Sequence, residues 1–170
     1  MTGRIIKMSA KKNIVTQEGY QKLLDEFEDL KNVRRPANLQ KLKEAKEQGD
    51  LSENAEYDAA REEQREIEGR LAELDELIKN VEIVNTEDVD KSLVHIGCSV
   101  RVLDMEFDEE VVYKLVGSTE VDVMNNIISY ECPVGAALKD HKAGEIVDVY
   151  VEDSGYHGQY KILEIIPSKA

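Results

Sequence analysis

The chain has no tryptophan, three prolines and two cysteines, and only 5% of its 170 residues are aromatic. So few rings argue against a ligand pocket walled by stacked aromatics. Cys98 and Cys132 show no CxxC spacing. They read as small buried thiols of a reducing compartment rather than a disulfide frame or zinc site, which places the protein in the cytoplasm. No apolar run approaches the roughly 20 residues that span a bilayer, so no membrane segment is expected. Met1–Asn13 carries Arg4, Lys7, Lys11 and Lys12 but no apolar stretch, so it does not read as a secretory signal. Positive charge is also in deficit. A net charge of -14 speaks against a free-standing binder of duplex nucleic acid, which needs a basic face. Phosphate-loop and dinucleotide fingerprints are missing, and His95, His141 and His157 are scattered without metal spacing.

What is present is charge, at 34% of residues, and it is unevenly placed. Residues 1–84 hold 15 Lys and Arg against 19 Asp and Glu, whereas residues 85–170 hold 7 against 17. Within the first half, Lys31, Arg34, Arg35, Lys41, Lys43 and Lys46 face the single acid Glu44. Immediately afterwards Glu47, Asp50, Glu53, Glu56 and Asp58 follow with no base among them. A solvated helix with mixed charges is the plain reading of such runs. The abrupt change of sign calls for a more specific one.

Apolar periodicity locates that change of sign. Ile67, Leu71, Leu74, Ile78 and Val81 alternate in steps of four and three, the seam of a coiled coil. Tyr20, Leu23, Phe27 and Leu30 do the same in an earlier limb, with Thr16 as the expected N-cap and Glu18 as early negative charge. Pro36 is expected to kink or divide this limb, because proline lacks an N–H, and the seam is expected to resume at Leu39 and Leu42. Pairing Tyr20 with Val81, Leu23 with Ile78, Phe27 with Leu74, Leu30 with Leu71 and Leu42 with Ala59 gives a constant index sum of 101. A constant sum is the mark of an antiparallel hairpin. Its fold-back falls between Asp50 and Leu51, with Gly49 for the turn and Ser52 as N-cap of the returning helix. Each limb is about 45 Å long at 1.5 Å per residue. Ala45, Ala55, Ala59 and Ala60 keep the tip slim, and so long and thin an element reads as a probe.

From Ile83 the helical period stops. Short β-rich runs follow at Ser99–Leu103, Val111–Val116, Asn126–Tyr130, Ile146–Val151 and Tyr160–Ile166, separated by turn signals such as Asp153-Ser-Gly155 and Gly158. One short helix fits Val134–Leu138, started by Pro133. The fold class is therefore α+β in two domains. An extension spans residues 1–13, the antiparallel helical hairpin 14–84, and a small, mainly antiparallel sheet domain 85–170, after a polar linker near Asn85–Val89.

At the tip, Asp50 and Glu53 lie three apart, close enough in sequence for their carboxylates to converge. Acids near a helix N-terminus also complement its dipole with no further role. Two carboxylates alone seldom make a dedicated Mg²⁺ site, so a metal held there needs other ligands from a partner. Lys46 and Arg61 flank the turn on opposite limbs and suit a phosphate backbone. Ordinary ion pairs with Glu62 or Glu47 are the reading that spacing alone favours. Cys98, in a strand, reads as core.

Arg34-Arg35-Pro36, then Gly49-Asp-Leu-Ser-Glu-Asn-Ala-Glu-Tyr-Asp-Ala-Ala-Arg-Glu-Glu-Gln64 and on through Glu68-Gly69-Arg70, closely resembles the bacterial Gre transcript cleavage factors, nearest their GreA type. Gly97, Val111–Gly117, Asn126-Ile-Ile-Ser129 and Pro133 extend the likeness into the second half. The resemblance implies a coiled coil followed by an FKBP-like domain, acting as a transcription elongation factor. The globular domain would dock on RNA polymerase and the coiled coil would enter its secondary channel. Tip acids, matched here by Asp50 and Glu53, would help the polymerase hold a second Mg²⁺ and cleave backtracked RNA, while Lys46 and Arg61 would contact the nascent RNA 3′ end. On this reading the chain is an accessory factor rather than an enzyme. It has no cofactor of its own beyond the shared Mg²⁺, and it acts as a monomer. Met1–Asn13 precedes the family's usual start, and lysine at position 46 keeps the charge without arginine's bidentate fork.

Three other readings stay open at this stage: an inhibitory Gre-like paralogue, a prolyl isomerase suggested only by the fold analogy, and a plain coiled-coil adaptor. The intact Asp50/Glu53 pair argues against the first, and the scarcity of aromatics against the second.

Overall fold

The computed structural model describes residues 12–49, 54–85 and 89–167. The chain divides into two compact units, one made by Tyr20–Val81 and the other by residues 12–19 with 82–167. The α+β, two-unit reading therefore holds.

The first unit is the hairpin. Helix α1 (Gln17–Asp29) passes through a π-helical turn (Leu30–Arg34) into α2 (Arg35–Glu47), and α3 (Ala55–Lys79) returns. Thr16 caps α1 as expected, its Oγ1 accepting the Gly19 N–H at 3.0 Å. The limbs run antiparallel, as the shrinking sequence separation of the bonds between them shows. Arg70 meets Glu26 across 44 residues, Lys41 meets Glu63 across 22, and Asn54 meets Ala45 across 9. Leu23, Leu30, Leu42, Ile67, Leu71 and Leu74 fill the seam.

Pro36 acts through the turn before it. Without an N–H, and with its ring crowding the carbonyl four residues back, it disfavours an ordinary α-helical turn at this point. The chain takes the wider π turn, in which the Arg35 N–H donates to the Leu30 carbonyl five residues earlier. A π turn inserts one residue and rotates everything after it. Continuing from Leu30 at α spacing would bury positions 34, 37 and 41, whereas the buried residues are Asn38, Leu42 and Ala45. Leu42 was expected in the seam, but Leu39 was too, and it is 51% exposed. Asn38 takes the inward place. Its Nδ2 donates to the Ala60 carbonyl at 2.9 Å and to the Glu63 carboxylate at 3.1 Å, which satisfies a buried amide and fixes the register. Ala60, not Ala59, faces inward on α3. Val81, expected as the last seam residue, belongs to a strand instead, because α3 ends at Lys79 with Asn80 as its C-cap.

Two acids tie the limbs together, and both carry carboxyls held below the ordinary value of 4.5. Glu26 is lowered chiefly by its bonds to Arg70, and Glu63 by Lys41 and then Asn38. A lowered folded pKa adds stability that is complete above the unfolded value and fades as pH falls through the folded one. Hairpin stability is therefore expected to drop below pH 4.5, and the drop should be shallower in a Glu26→Gln/Glu63→Gln double variant. Urea midpoints of the helical circular dichroism signal at pH 7, 4.5 and about 3 check this.

The second unit begins with a two-stranded sheet absent from the sequence expectations, β1 (Asn13–Thr16) paired with β2 (Val81–Val84). Next come β3 (Ser99–Asp104), β4 (Glu109–Val116), β5 (Ile127–Ser129), α4 (Pro133–Leu138), β6 (Ile146–Val151) and β7 (Tyr156–Ile166). They form a five-stranded sheet in the order β5-β4-β3-β7-β6, antiparallel except for β4 with β5. Helix α4 packs against β6 over a core that includes Val94, Cys98, Val100, Leu115, Leu138 and Ile162. Strand β7 starts four residues earlier than expected. Gly158, read as turn punctuation, lies inside it opposite Val149. A side chain there would meet the Tyr156 hydroxyl, 2.2 Å from an added Cβ, so the glycine serves close packing.

Glu120 locks the entry to α1. Its carboxylate accepts from the Thr16 N–H at 2.9 Å, from the Thr16 hydroxyl, and from the Gly117 N–H at 3.3 Å. Gly117 is required by the same joint, since a Cβ there would lie 1.9 Å from the Ile14 carbonyl oxygen. That oxygen is backbone and cannot swing aside. Gly117→Ala is expected to lower stability by about 3 kcal/mol, measured as a shift of the urea midpoint at unchanged slope.

Candidate functional site at the hairpin tip

The end of α2 and the start of α3 form the tip. Helix α2 closes with Lys46 in its last turn, where a cation complements the dipole, and α3 opens with Glu56 and Asp58, where acids do the same. Three of the clustered charges at the turn therefore have a local structural reason. Gly49 holds φ +110°, the left-handed region that the turn was expected to need. The cap of α3 is Asn54 rather than Ser52. Its Oδ1 accepts the Tyr57 N–H at 3.0 Å, and its Nδ2 donates to the Ala45 carbonyl at 2.9 Å. Asp50 and Glu53, the expected metal-directing carboxylates, lie outside the described residues, as does Ser52.

Two grooves flank the seam behind the tip, and they differ in sign. One, of about 320 Å³, is lined by Leu39, Leu42, Lys43, Lys46, Tyr57, Arg61 and Gln64. The other, of about 310 Å³, carries Glu44, Glu56 and Glu63 with Lys41. Lys41 is already paired with Glu63 at 2.8 Å, so the second groove is acidic. The first has three cations and no acid among its lining residues.

Lys46 and Arg61, singled out separately on the two limbs, are thus brought to one groove. Arg61 does not pair with Glu62, which instead bonds Arg65. Its Nη1 donates to the neutral Gln64 Oε1 at 3.1 Å, which leaves the guanidinium charge uncompensated by that contact. Three groove residues went unrecognised in the sequence. Lys43 adds a third cation, while Leu39 and Tyr57 supply an apolar wall. Leu39 was expected in the seam, so residue spacing alone gave no signal of its place on this face. Cations interleaved with an aromatic and an aliphatic face are the composition of a single-stranded nucleic-acid groove.

Elsewhere, burial pushes the Tyr160 hydroxyl well above the ordinary tyrosine value, helped by Tyr156, Tyr113 and Asp104, and it also raises Tyr113. These rings pack on the sheet core. Cys98 is fully buried with its thiol pushed up by burial, as befits a core residue. Among the described residues no cluster of three or more His, Cys, Asp or Glu side chains could hold a metal ion, and no helix is long and apolar enough to cross a membrane.

A two-unit α+β protein with a sign-polarised helical hairpin and a separate sheet domain is the class these features define. The sequence profile described as "Transcription elongation factor, N-terminal" matches residues 13–83, and that of "Transcription elongation factor, GreA/GreB, C-term" matches residues 89–167. The chain belongs to the GreA/GreB family of transcription elongation factors. It is 51% identical over 158 residues to the transcription elongation factor GreA of Lachnoclostridium phytofermentans, covering 93% of this chain and 98% of that protein. It is 49% identical over 156 residues to GreA of Clostridium botulinum, covering 92% and 96%. Among solved structures, the GreA factor homolog Gfh1 of Thermus thermophilus is 22% identical with a TM-score of 0.43, covering 91% of this chain and 99% of that one.

Proposed function

We propose that this chain is an accessory factor of RNA polymerase that stimulates cleavage of backtracked nascent RNA in the cytoplasm. The hairpin is the working part. Its tip delivers Asp50 and Glu53 into the polymerase active site, and the basic groove receives the extruded RNA 3′ segment. The observation that supports this most directly is the polarity of the tip, where Lys43, Lys46 and Arg61 line one groove while three glutamates line the other. RNA lying along the hairpin is attracted to the first face and repelled by the second. Phosphates would contact the three cations, and a base would lie against Tyr57 and Leu39.

Two hard carboxylate oxygens suit Mg²⁺, and their small number suits an ion completed by the partner's ligands and by water. When bound, such an ion supplies water activation and stabilisation of the leaving oxygen. Asp50 and Glu53 contribute negative charge and orientation, and Lys46 and Arg61 hold the strand in place. The polymerase owns the reaction, so the chain is a stimulator acting as a monomer rather than an enzyme.

The test is a backtracked elongation complex with 3′-labelled RNA. Adding the chain should release a short 3′ fragment and restore elongation on addition of nucleotides. Blocked elongation without fragment release would instead make the chain an inhibitor. A second measurement examines the groove. Lys46→Ala and Arg61→Ala should each weaken binding to the backtracked complex, and each should reduce the slope of log affinity against log salt by about 0.7. Unchanged slopes would place the RNA elsewhere.

A further inference from the structure

Residues 105–108 form the tight turn between β3 and β4, and buried groups fix its shape. Asp104 is 7% exposed, and its Oδ1 accepts the Glu106 N–H at 2.9 Å and the Phe107 N–H at 3.3 Å. The Met105 N–H donates to the Gln159 carbonyl of β7 at 3.0 Å. Asp108 holds φ 53°, a left-handed conformation that aspartate tolerates. Turns are mostly built from glycine, proline, asparagine, aspartate and serine. This one carries Met105, 46% exposed, and Phe107, 64% exposed. Phe107 is one of only two phenylalanines in the chain. A single apolar residue on a surface needs no explanation. Two large ones on one preorganised turn expose apolar area that the turn itself does not require.

The charges around them indicate what covers that area. Every residue from 105 to 110 is exposed, and Glu106, Asp108, Glu109 and Glu110 are among them. No Lys or Arg lies between Arg101 and Lys114. Those two flanking cations are engaged elsewhere, Arg101 with Glu164 and Lys114 with Glu18, each at 3.3 Å. Uncompensated acids repel nucleic acid and anionic lipid. The surface they fit is that of a protein, cationic at its rim and apolar at its centre. Phenylalanine and methionine are enriched at the centres of such interfaces, while rim charges govern encounter and its salt dependence.

We infer that the β3–β4 turn is a docking prong that seats Phe107 and Met105 in an apolar crevice rimmed by Lys or Arg on RNA polymerase. This rests on the function proposed above, which supplies the polymerase as partner. Phe107 is the anchor, and Glu106, Asp108 and Glu109 steer it to its seat. A turn already held in shape binds without a large ordering cost. The prong therefore sets affinity for the polymerase and takes no part in the cleavage step.

Binding of the full chain to polymerase free of nucleic acid separates docking from the RNA groove. Phe107→Ser is expected to weaken that binding about 30-fold at an unchanged melting temperature. A triple variant, Glu106→Gln/Asp108→Asn/Glu109→Gln, removes charge while asparagine still tolerates the left-handed backbone at 108. It should associate more slowly than the wild type, and its association rate should depend less steeply on salt. On a backtracked complex, Phe107→Ser should raise the half-saturating concentration by the same factor and still reach the wild-type maximal cleavage rate. Wild-type binding by Phe107→Ser overturns the inference, and so does an unaltered salt dependence in the triple variant. If Phe107→Ser melts lower, the triple variant decides alone, since it changes only exposed charge. A wild-type chain that binds polymerase without promoting cleavage would remove the proposed function and leave the prong standing. Cleavage that Phe107→Ser promotes as well as the wild type at every concentration would remove the prong alone.

Discussion

Asp50→Asn combined with Glu53→Gln is expected to bring cleavage of a backtracked transcript down to the polymerase's unaided rate, a loss of roughly 10²-fold or more. Both substitutions preserve size and hydrogen-bonding reach and remove only charge. They test electrostatics and metal direction without disturbing the fold. The start of α3 has Asn54 as its cap and Glu56 and Asp58 as dipole partners, none of which is altered. The double variant should therefore melt like the wild type and should compete with the wild-type chain for polymerase at equal concentration. It then becomes an occupant of the channel that does not promote cleavage. Persistent full stimulation by the double variant would remove the tip carboxylates from the mechanism and leave the chain as a coiled-coil adaptor. A partial loss confined to one position would assign the larger share to that residue.

The course of the hairpin was legible because its seam depends on a simple period. Leu23, Leu30, Ile67, Leu71 and Leu74 sit where a four-three alternation puts them, and an antiparallel pairing follows from index sums alone. The slip after Pro36 was not legible. A proline announces that the helix will be disturbed, but whether it kinks, breaks or widens by one residue depends on which carbonyls find partners. The inward place expected of Leu39 is taken by Asn38, against the hydrophobic pattern, since an amide with two partners is buried in place of a leucine. The cap of α3 was not legible either: Asn54, not singled out in the sequence, accepts the Tyr57 N–H and also donates across the limbs to Ala45. In the second unit, alternation located the strands, while the β1–β2 pair escaped notice because it joins segments some 65 residues apart. Lys46 and Arg61 were identified as cations near the turn. Their sharing of a groove with Lys43, Tyr57 and Leu39 depends on helical phase, which the π turn had shifted.

Leu74→Ala should unfold the hairpin well before the sheet unit and so divide one melting transition into two. Leu74 is fully buried in α3, and removing a buried leucine side chain costs about 3 kcal/mol with the cavity it leaves. In a helical unit of this size that corresponds to a fall of about 15 °C in melting temperature. A thin seam has no second layer to refill the space, so the loss should not be recovered by repacking. The sheet unit keeps its own core around Val100, Leu115 and Ile162 and has no reason to follow. Spectroscopy can distinguish the two, because five of the seven tyrosines lie in residues 82–167. The helical signal at 222 nm should therefore melt early while the near-ultraviolet tyrosine signal persists. Leu39→Ala is the matching control. A Leu39 in the seam, where it was expected, would be as costly to remove as Leu74, whereas its 51% exposure gives a change within about 0.5 kcal/mol. Its effect should instead be seen in cleavage, through the groove it shares with Tyr57 and Arg61. A large loss of stability in Leu39→Ala would mean that Leu39 packs in the seam in solution, and with it would go the apolar wall of the groove.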